Sequence, residues 1–205
     1  MQRRSILASC AAAALAFAPI TLLRGRAQSA TPTSEKDSDV ESGYAPVNGL
    51  QLYYEIHGVG EPLVLIHGAY ASVSMWGPIL EGLAQNHRVI AMDMQAHGHT
   101  ADIDRPLRYE TMADDVAALM DYLEIESANI VGYSMGAGVG LQFALRHPEK
   151  VRRQVLASGS FRHDGMYPEV LAGISQITPE MFAGTPMEQV YLAEAPNPDD
   201  WPVLI

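Results

Sequence analysis

Ser134 stands between two glycines in Gly132-Tyr133-Ser134-Met135-Gly136, directly after the apolar run Ala128-Asn129-Ile130-Val131. A serine hydroxyl flanked this way suits nucleophilic attack. The chain leaves a strand, turns sharply into a helix, and holds the serine strained and exposed at the tip. Only small residues two before and two after the serine pass so tight a turn without clashing, and Gly132 and Gly136 occupy both places. The spacing therefore predicts Ser134 at a helix N-terminus, where free N–H groups favour a developing negative charge. The plainer alternative is a buried strand–helix unit whose glycines serve packing alone, with Ser134 capping the helix.

The surrounding elements are those such a turn needs. Val139, Leu141, Phe143 and Leu145 give the following helix apolar bulk, Gly136, Gly138 and Gly140 keep one face thin, and His147-Pro148 ends it. Upstream, the continuous run Leu63-Val64-Leu65-Ile66 reads as a strand covered on both faces, running into His67-Gly68-Ala69-Tyr70. A helical pattern with Trp76, Ile79, Leu80 and Leu83 follows, then a strand over 88–92 and the loop Asp93-Met94-Gln95-Ala96-His97-Gly98-His99-Thr100. Met112, Val116, Leu119 and Leu123 mark one face of an amphipathic helix, and Val151 to Ala157 reads as one more strand. Val47-Asn48-Gly49 predicts a hairpin between two leading strands. Alternating strand and helix imply right-handed crossovers and a mostly parallel sheet.

With these motifs in order, the chain resembles the α/β-hydrolase superfamily in its single-domain serine esterase and lipase-like branch. The likeness rests on His67-Gly68 after the third strand, Asp93 to Gly98 after the fourth and the serine elbow after the fifth, and it spans roughly Ala45 to Ala157. Ala96 departs from the family's usual glycine before the His-Gly pair. The resemblance implies an α/β-hydrolase fold with helices on both faces of the sheet, and Ser134 as the nucleophile toward a small carboxylic ester or related acyl compound. It implies an oxyanion hole made by the backbone N–H groups of Met135 and Ala69. His67 and His97 become loop-shaping residues and Asp93 a structural one; no cofactor and no metal is implied. A haloalkane or epoxide hydrolase is disfavoured, because those relatives place aspartate where Ser134 stands.

In this superfamily the triad acid and base follow the serine along the chain. Two histidines do so, His147 and His163. His147 falls at the far end of the elbow helix. His163, in Phe161-Arg162-His163-Asp164-Gly165, is read as a loop or substrate-channel residue in preference to a base. The expectation is that the acid and base lie outside these 205 residues and that the C-terminal strands are missing, the chain being cut within a lid region over 161–205. Thr178 to Met181 and Pro186 to Leu192 read as its helical pieces, and Trp201-Pro202-Val203-Leu204-Ile205 as an apolar end. An inactive hydrolase-fold chain that at most binds a small apolar ligand is the competing reading.

Two further clusters have bland readings. His97-x-His99-x-x-Asp102 has metal-like residues at a spacing unsuited to a ligand set. Adjacent Asp114 and Asp115 diverge by about 100° on a helix, which reads as a solvated face.

The N-terminus reads as an address. Arg3-Arg4 precede a mostly apolar run from Ile6 to Leu23, and small residues near Ala27 and Ser29 suit cleavage, so 1–29 resembles a twin-arginine export signal. A signal-anchor helix is the alternative, and lipidation at Cys10 is disfavoured because almost no apolar stretch precedes it. Residues 30–43 read as a flexible linker and 44–160 as the hydrolase core. Cys10 is the only cysteine, so the exported domain has no disulfide of its own. Four arginines and no acids precede residue 31, so removing that segment takes the net charge from −11 to −15. Such a domain does not track phosphate backbones, which excludes nucleic acid as a partner. The expected partner is a small acyl substrate, in the periplasm or outside the cell, without stable membrane association once the signal is removed; oligomeric state is not legible.

Overall fold

A computed structural model describes residues 40–162 and 165–205. Its centre is a sheet of six strands in the order β1-β2-β4-β3-β5-β6. These are β1 (Glu41–Val47), β2 (Leu50–His57), β3 (Glu61–Ile66), β4 (His87–Met92), β5 (Ala128–Tyr133) and β6 (Val151–Ala157). The leading hairpin β1–β2 and the β2–β4 pair are antiparallel, and β4, β3, β5 and β6 run parallel. Asn48 and Gly49 turn the hairpin with φ of 49° and 87°, the two positive values that an Asn-Gly turn supplies cheaply.

The apolar run of β3 is continuous because the strand is buried on both faces. Leu63 and Leu65 pack with Val89 and Ala91 of β4 against Trp76 and Leu80. Val64 and Ile66 face the other way, into the main core with Ile90, Met92 and Ile130. The first face is covered by α1 (Gly77–Ala84) and the short turn Val73–Trp76 before it. The second is covered by α2 (Tyr109–Tyr122), through Met112, Val116 and Leu119, and by α3 (Met135–Arg146), through Val139 and Phe143. Residues beyond β6 form α4 (Pro168–Ile174), α5 (Pro186–Glu194) and α6 (Trp201–Leu204), joined by short 3₁₀ turns.

Several expectations need correction. Residues 41–43, read as linker, belong to β1 and pair with β2. The single helix expected around Trp76 is a 3₁₀ turn and then α1, parted by Gly77 at φ 38°, which leaves Ile79 60% exposed. Leu145 likewise points to solvent from α3. The expected export signal over 1–29, residues 30–39 of the linker and His163 lie outside the described residues.

Candidate active site

Two loops and one turn meet at the carboxyl ends of the parallel strands. The first is the elbow. Ser134 sits between β5 and α3 at φ 53°, ψ −112°, a region that L-residues avoid, and its backbone N–H is held by the Ala157 carbonyl at 2.9 Å. The flanking glycines are obligatory: a Cβ on Gly132 would stand 2.2 Å from the Gly136 carbonyl oxygen, and one on Gly136 would stand 2.1 Å from that of Ile66. The close approach of α3 to β5 and β3 is thus set by bare backbone, and it leaves the serine exposed at the tip.

The second piece is the turn after β3. His67 is fully buried, and its Nδ1–H donates to the Gly68 carbonyl at 2.7 Å while Nε2 accepts from the Met94 N–H at 3.0 Å. Because a carbonyl can only accept, the proton is on Nδ1. Burial, reinforced by the neighbouring His97 ring, pushes the His67 pKa down to about 3, so the ring is a neutral strut between two loops. The turn brings Gly68 against the elbow, since a Cβ there would lie 3.5 Å from Ser134 Cβ. Among the described residues the N–H groups of Ala69 and Met135 have no hydrogen-bond acceptor in the chain.

The third piece is the loop after β4. Asp93 is buried at its start and accepts from the Val73 N–H at 2.7 Å, the His99 N–H at 2.8 Å and His99 Nδ1 at 2.9 Å. Burial raises its pKa against the pull of those donors. Ala96, where the family usually has glycine, adopts φ 63°. That left-handed geometry explains the family's preference, and here an alanine bears the strain. His97 Nδ1–H donates to the Gln95 carbonyl at 2.8 Å. Arg105 then clamps the loop: its guanidinium meets both Asp115 oxygens, at 2.7 and 3.1 Å, and Gln95 Oε1. Asn48 completes the set through Asp115 Oδ1 at 3.0 Å.

Asp115 therefore overturns the solvated-face reading. It is fully buried beside Val116, three residues on from Met112, on the inner face of α2. Asp114 does face outward, where Arg146 and His147 hold its carboxyl below the usual range. The signal was present in the sequence, because the stripe through Met112, Val116 and Leu119 passes beside position 115.

These pieces enclose a cavity of about 460 Å³. Ser134, Met135, Ala69 and His97 line it from the core; Met166, Ile174, Ile177 and Leu204 line it from the C-terminal segment. Sequence reasoning missed Tyr70 and Ser158, which line the same cavity at φ 61° and 57°, because no pattern of residue types announces a left-handed tyrosine or serine. Among the described residues no imidazole is hydrogen-bonded to Ser134; His147 is engaged by Asp114 at 2.8 Å. His99 is turned to Asp93, and among the described residues no group of three acidic, histidine or cysteine side chains could hold a metal ion.

A mostly parallel sheet carrying a strained serine at a strand-to-helix elbow, beside a His-Gly turn, defines an α/β fold of the hydrolase type. The comparisons agree: the family model described as the alpha/beta hydrolase fold matches residues 61–189, and the chain belongs to that family. Over 122 residues it is 36% identical to a protein named putative carbamate hydrolase RutD of Azorhizobium caulinodans, covering 60% of this chain and 46% of that one. Over 112 residues it is 38% identical to the 2-hydroxymuconate semialdehyde hydrolase of Pseudomonas sp. strain CF600, covering 53% and 40%. Among solved structures, a meta-cleavage product hydrolase, CumD of Pseudomonas fluorescens IP01, matches with a TM-score of 0.54 and 35% identity over 58% of this chain and 45% of that one. The chain spans about half the length of the curated relatives it matches.

Proposed function

We propose that this chain is a serine hydrolase acting on a small carboxylic ester or related acyl compound, with Ser134 as the nucleophile and the Ala69 and Met135 N–H groups as the oxyanion donors. The observation that carries the reading is Ser134 itself, exposed at φ 53° on the wall of a cavity it shares with Ala69 and Met135. Ser134 Oγ attacks the acyl carbonyl carbon and the alcohol leaves with a proton. Water then cleaves the acyl-enzyme to the acid and restores the hydroxyl. The two acceptor-free N–H groups, of Ala69 and Met135, suit the oxyanion formed in each step, and losing one such donor costs on the order of 10²–10³ in rate. The similar proteins are named as hydrolases, which supports hydrolytic chemistry at this site.

His97 does not serve as the base. Burial pushes its pKa down to about 4, well below a base tuned for neutral pH, and its ring makes no hydrogen bond to Ser134. That no described imidazole addresses the serine favours a second reading, a hydrolase-fold chain that binds a small apolar ligand without turnover. Hydrolysis of p-nitrophenyl acetate by the chain and by Ser134→Ala separates the two. Turnover that disappears with Ser134→Ala supports the hydrolase. Turnover indifferent to that substitution removes it, and ligand binding without turnover favours the second reading. Export through residues 1–29 is part of the same proposal, and retention of an Arg3→Lys/Arg4→Lys double variant in the cytoplasm is the expected outcome on fractionation.

A further inference from the structure

Gly138 lies one turn of α3 beyond Ser134, and its N–H donates to the Ser134 carbonyl at 3.3 Å. Its missing side chain makes a seat for an aromatic ring. A Cβ on Gly138 would stand 2.5 Å from Cε2 and 2.7 Å from Cδ2 of Tyr109. The ring at the start of α2 is therefore laid on the bare backbone of the helix that begins at the nucleophile. Tyr109 stays 45% exposed there and lines the cavity of Ser134.

The same ring lines a second cavity, of about 450 Å³, whose other residues include Leu141, Gln142, Phe161 and Leu171. The two cavities share Tyr109, Gly138, Ser160 and Met166. Gly138 adds no side chain to that divide, and Ser160 adds a small one that donates to the Arg162 carbonyl. Tyr109 and Met166 supply the bulk. Methionine is unbranched and yields, so the seated ring is the rigid member.

We propose that the Tyr109 ring is the specificity-determining wall of the Ser134 cavity: it holds substrates to short chains and closes off a second subsite, apolar on Leu141, Phe161 and Leu171, that fits the tail of a longer ester. This rests on the serine hydrolase reading and adds to it a substrate length and the residue that sets it. A methylene added against apolar surface strengthens binding roughly fourfold when fully buried, whereas one pressed on a rigid ring gains nothing and adds strain.

The test measures binding by calorimetry to the full chain carrying Ser134→Ala, so that turnover plays no part. Two series of neutral esters, methyl alkanoates and alkyl acetates, are lengthened from butyl to decyl, so that either side of the ester can carry the tail. In at least one series affinity should rise to a limiting length and then stop. With Tyr109→Ala the rise should continue past that length, by roughly two- to fourfold per methylene. Adding Leu171→Glu to that variant puts a charge in the second cavity and should cancel the extension. Tyr109→Phe keeps the ring and should keep the limit. Tyr109→Leu, shorter than the ring, should extend it in part, and it carries the test if Tyr109→Ala fails to fold. A limit unmoved by the alanine or leucine variant, a limit lost with Tyr109→Phe, an extension that survives Leu171→Glu, or affinity that climbs without limit while Tyr109 is in place would each overturn the proposal. The hydrolase reading stands or falls separately, on turnover of p-nitrophenyl acetate. Absence of binding by every ester would count against both.

Discussion

The cavity has two walls of opposite construction. The core wall, from His67 through the loop after β4, is buried and cross-tied: Asp93, Gln95, His97 and Thr100 are buried, and Arg105 with Asp115 pins the loop to α2. The C-terminal wall is nearly the reverse. α4 buries no residue and α5 only Tyr191; the segment is held by one aromatic cluster, in which Trp201 meets Tyr70, Phe182 and Tyr191 with ring centroids 4.9–6.2 Å apart. Low contact with the core means a low free energy of local opening. On the proposed hydrolase reading this is a division of labour: chemistry needs groups held to a fraction of an ångström, whereas admission of substrate needs a wall that yields.

The sharpest way to break this contrast is Gly136→Ala. Its methyl has nowhere to go between α3 and the Ile66 carbonyl, so the core wall should lose about 3 kcal/mol or more, read by urea unfolding. A stable Gly136→Ala protein would show that the elbow is looser than its backbone suggests.

Acid comes next. In the unfolded chain His67 and His97 take up protons near pH 6.5, but in the fold they stay neutral down to about 3 and about 4. Protons therefore favour the unfolded state: stability should be flat above about pH 6.5 and fall below it. By pH 5 the loss is about 2 kcal/mol per histidine, and His97→Asn should remove its share. A stability curve that is level from pH 7 to 5 would contradict the buried, neutral pair.

Asp115→Ala strips Arg105 of its carboxylate inside the clamp, with the arginine side chain only 19% exposed. The expected cost is about 2 kcal/mol, reduced from that of a fully buried pair by the solvent that reaches the guanidinium. Trp201→Ala is the smallest for the sheet and the most telling for the comparison. Proteolysis within 165–205 should speed up markedly, while the urea midpoint of the sheet should shift by the equivalent of about 1 kcal/mol or less. A sheet that unfolds together with the cluster would mean the two walls are one cooperative unit.

The core wall is also the part that was readable in the sequence. Gly132 and Gly136 declare themselves because tight backbone contact tolerates nothing larger, and Leu63 to Ile66 because burial on both faces needs four apolar residues in a row. The stripe through Met112, Val116 and Leu119 marks position 115 as inward-facing, but not its partner: the ion pair with Arg105 joins positions ten apart through a loop whose path no periodicity reveals. The left-handed Tyr70 and Ser158 were missed because tertiary contacts, not residue preference, impose their geometry. Ala96 shows the middle case: its departure from glycine marked the spot, and the φ of 63° gives the reason.

The two tryptophans fall one to each region. Trp76 is packed under the sheet with Leu63 and Leu65, and Trp201 lies at the heart of the aromatic cluster; both indole N–H groups are buried without a partner among the described residues. The molecule thus carries a built-in pair of fluorophores in dry surroundings, one on each side of the divide. With Trp76→Phe, the emission of Trp201 alone would report the movement of the yielding wall, and with Trp201→Phe the remaining signal would follow the sheet, so a single spectrometer could time the two regions separately.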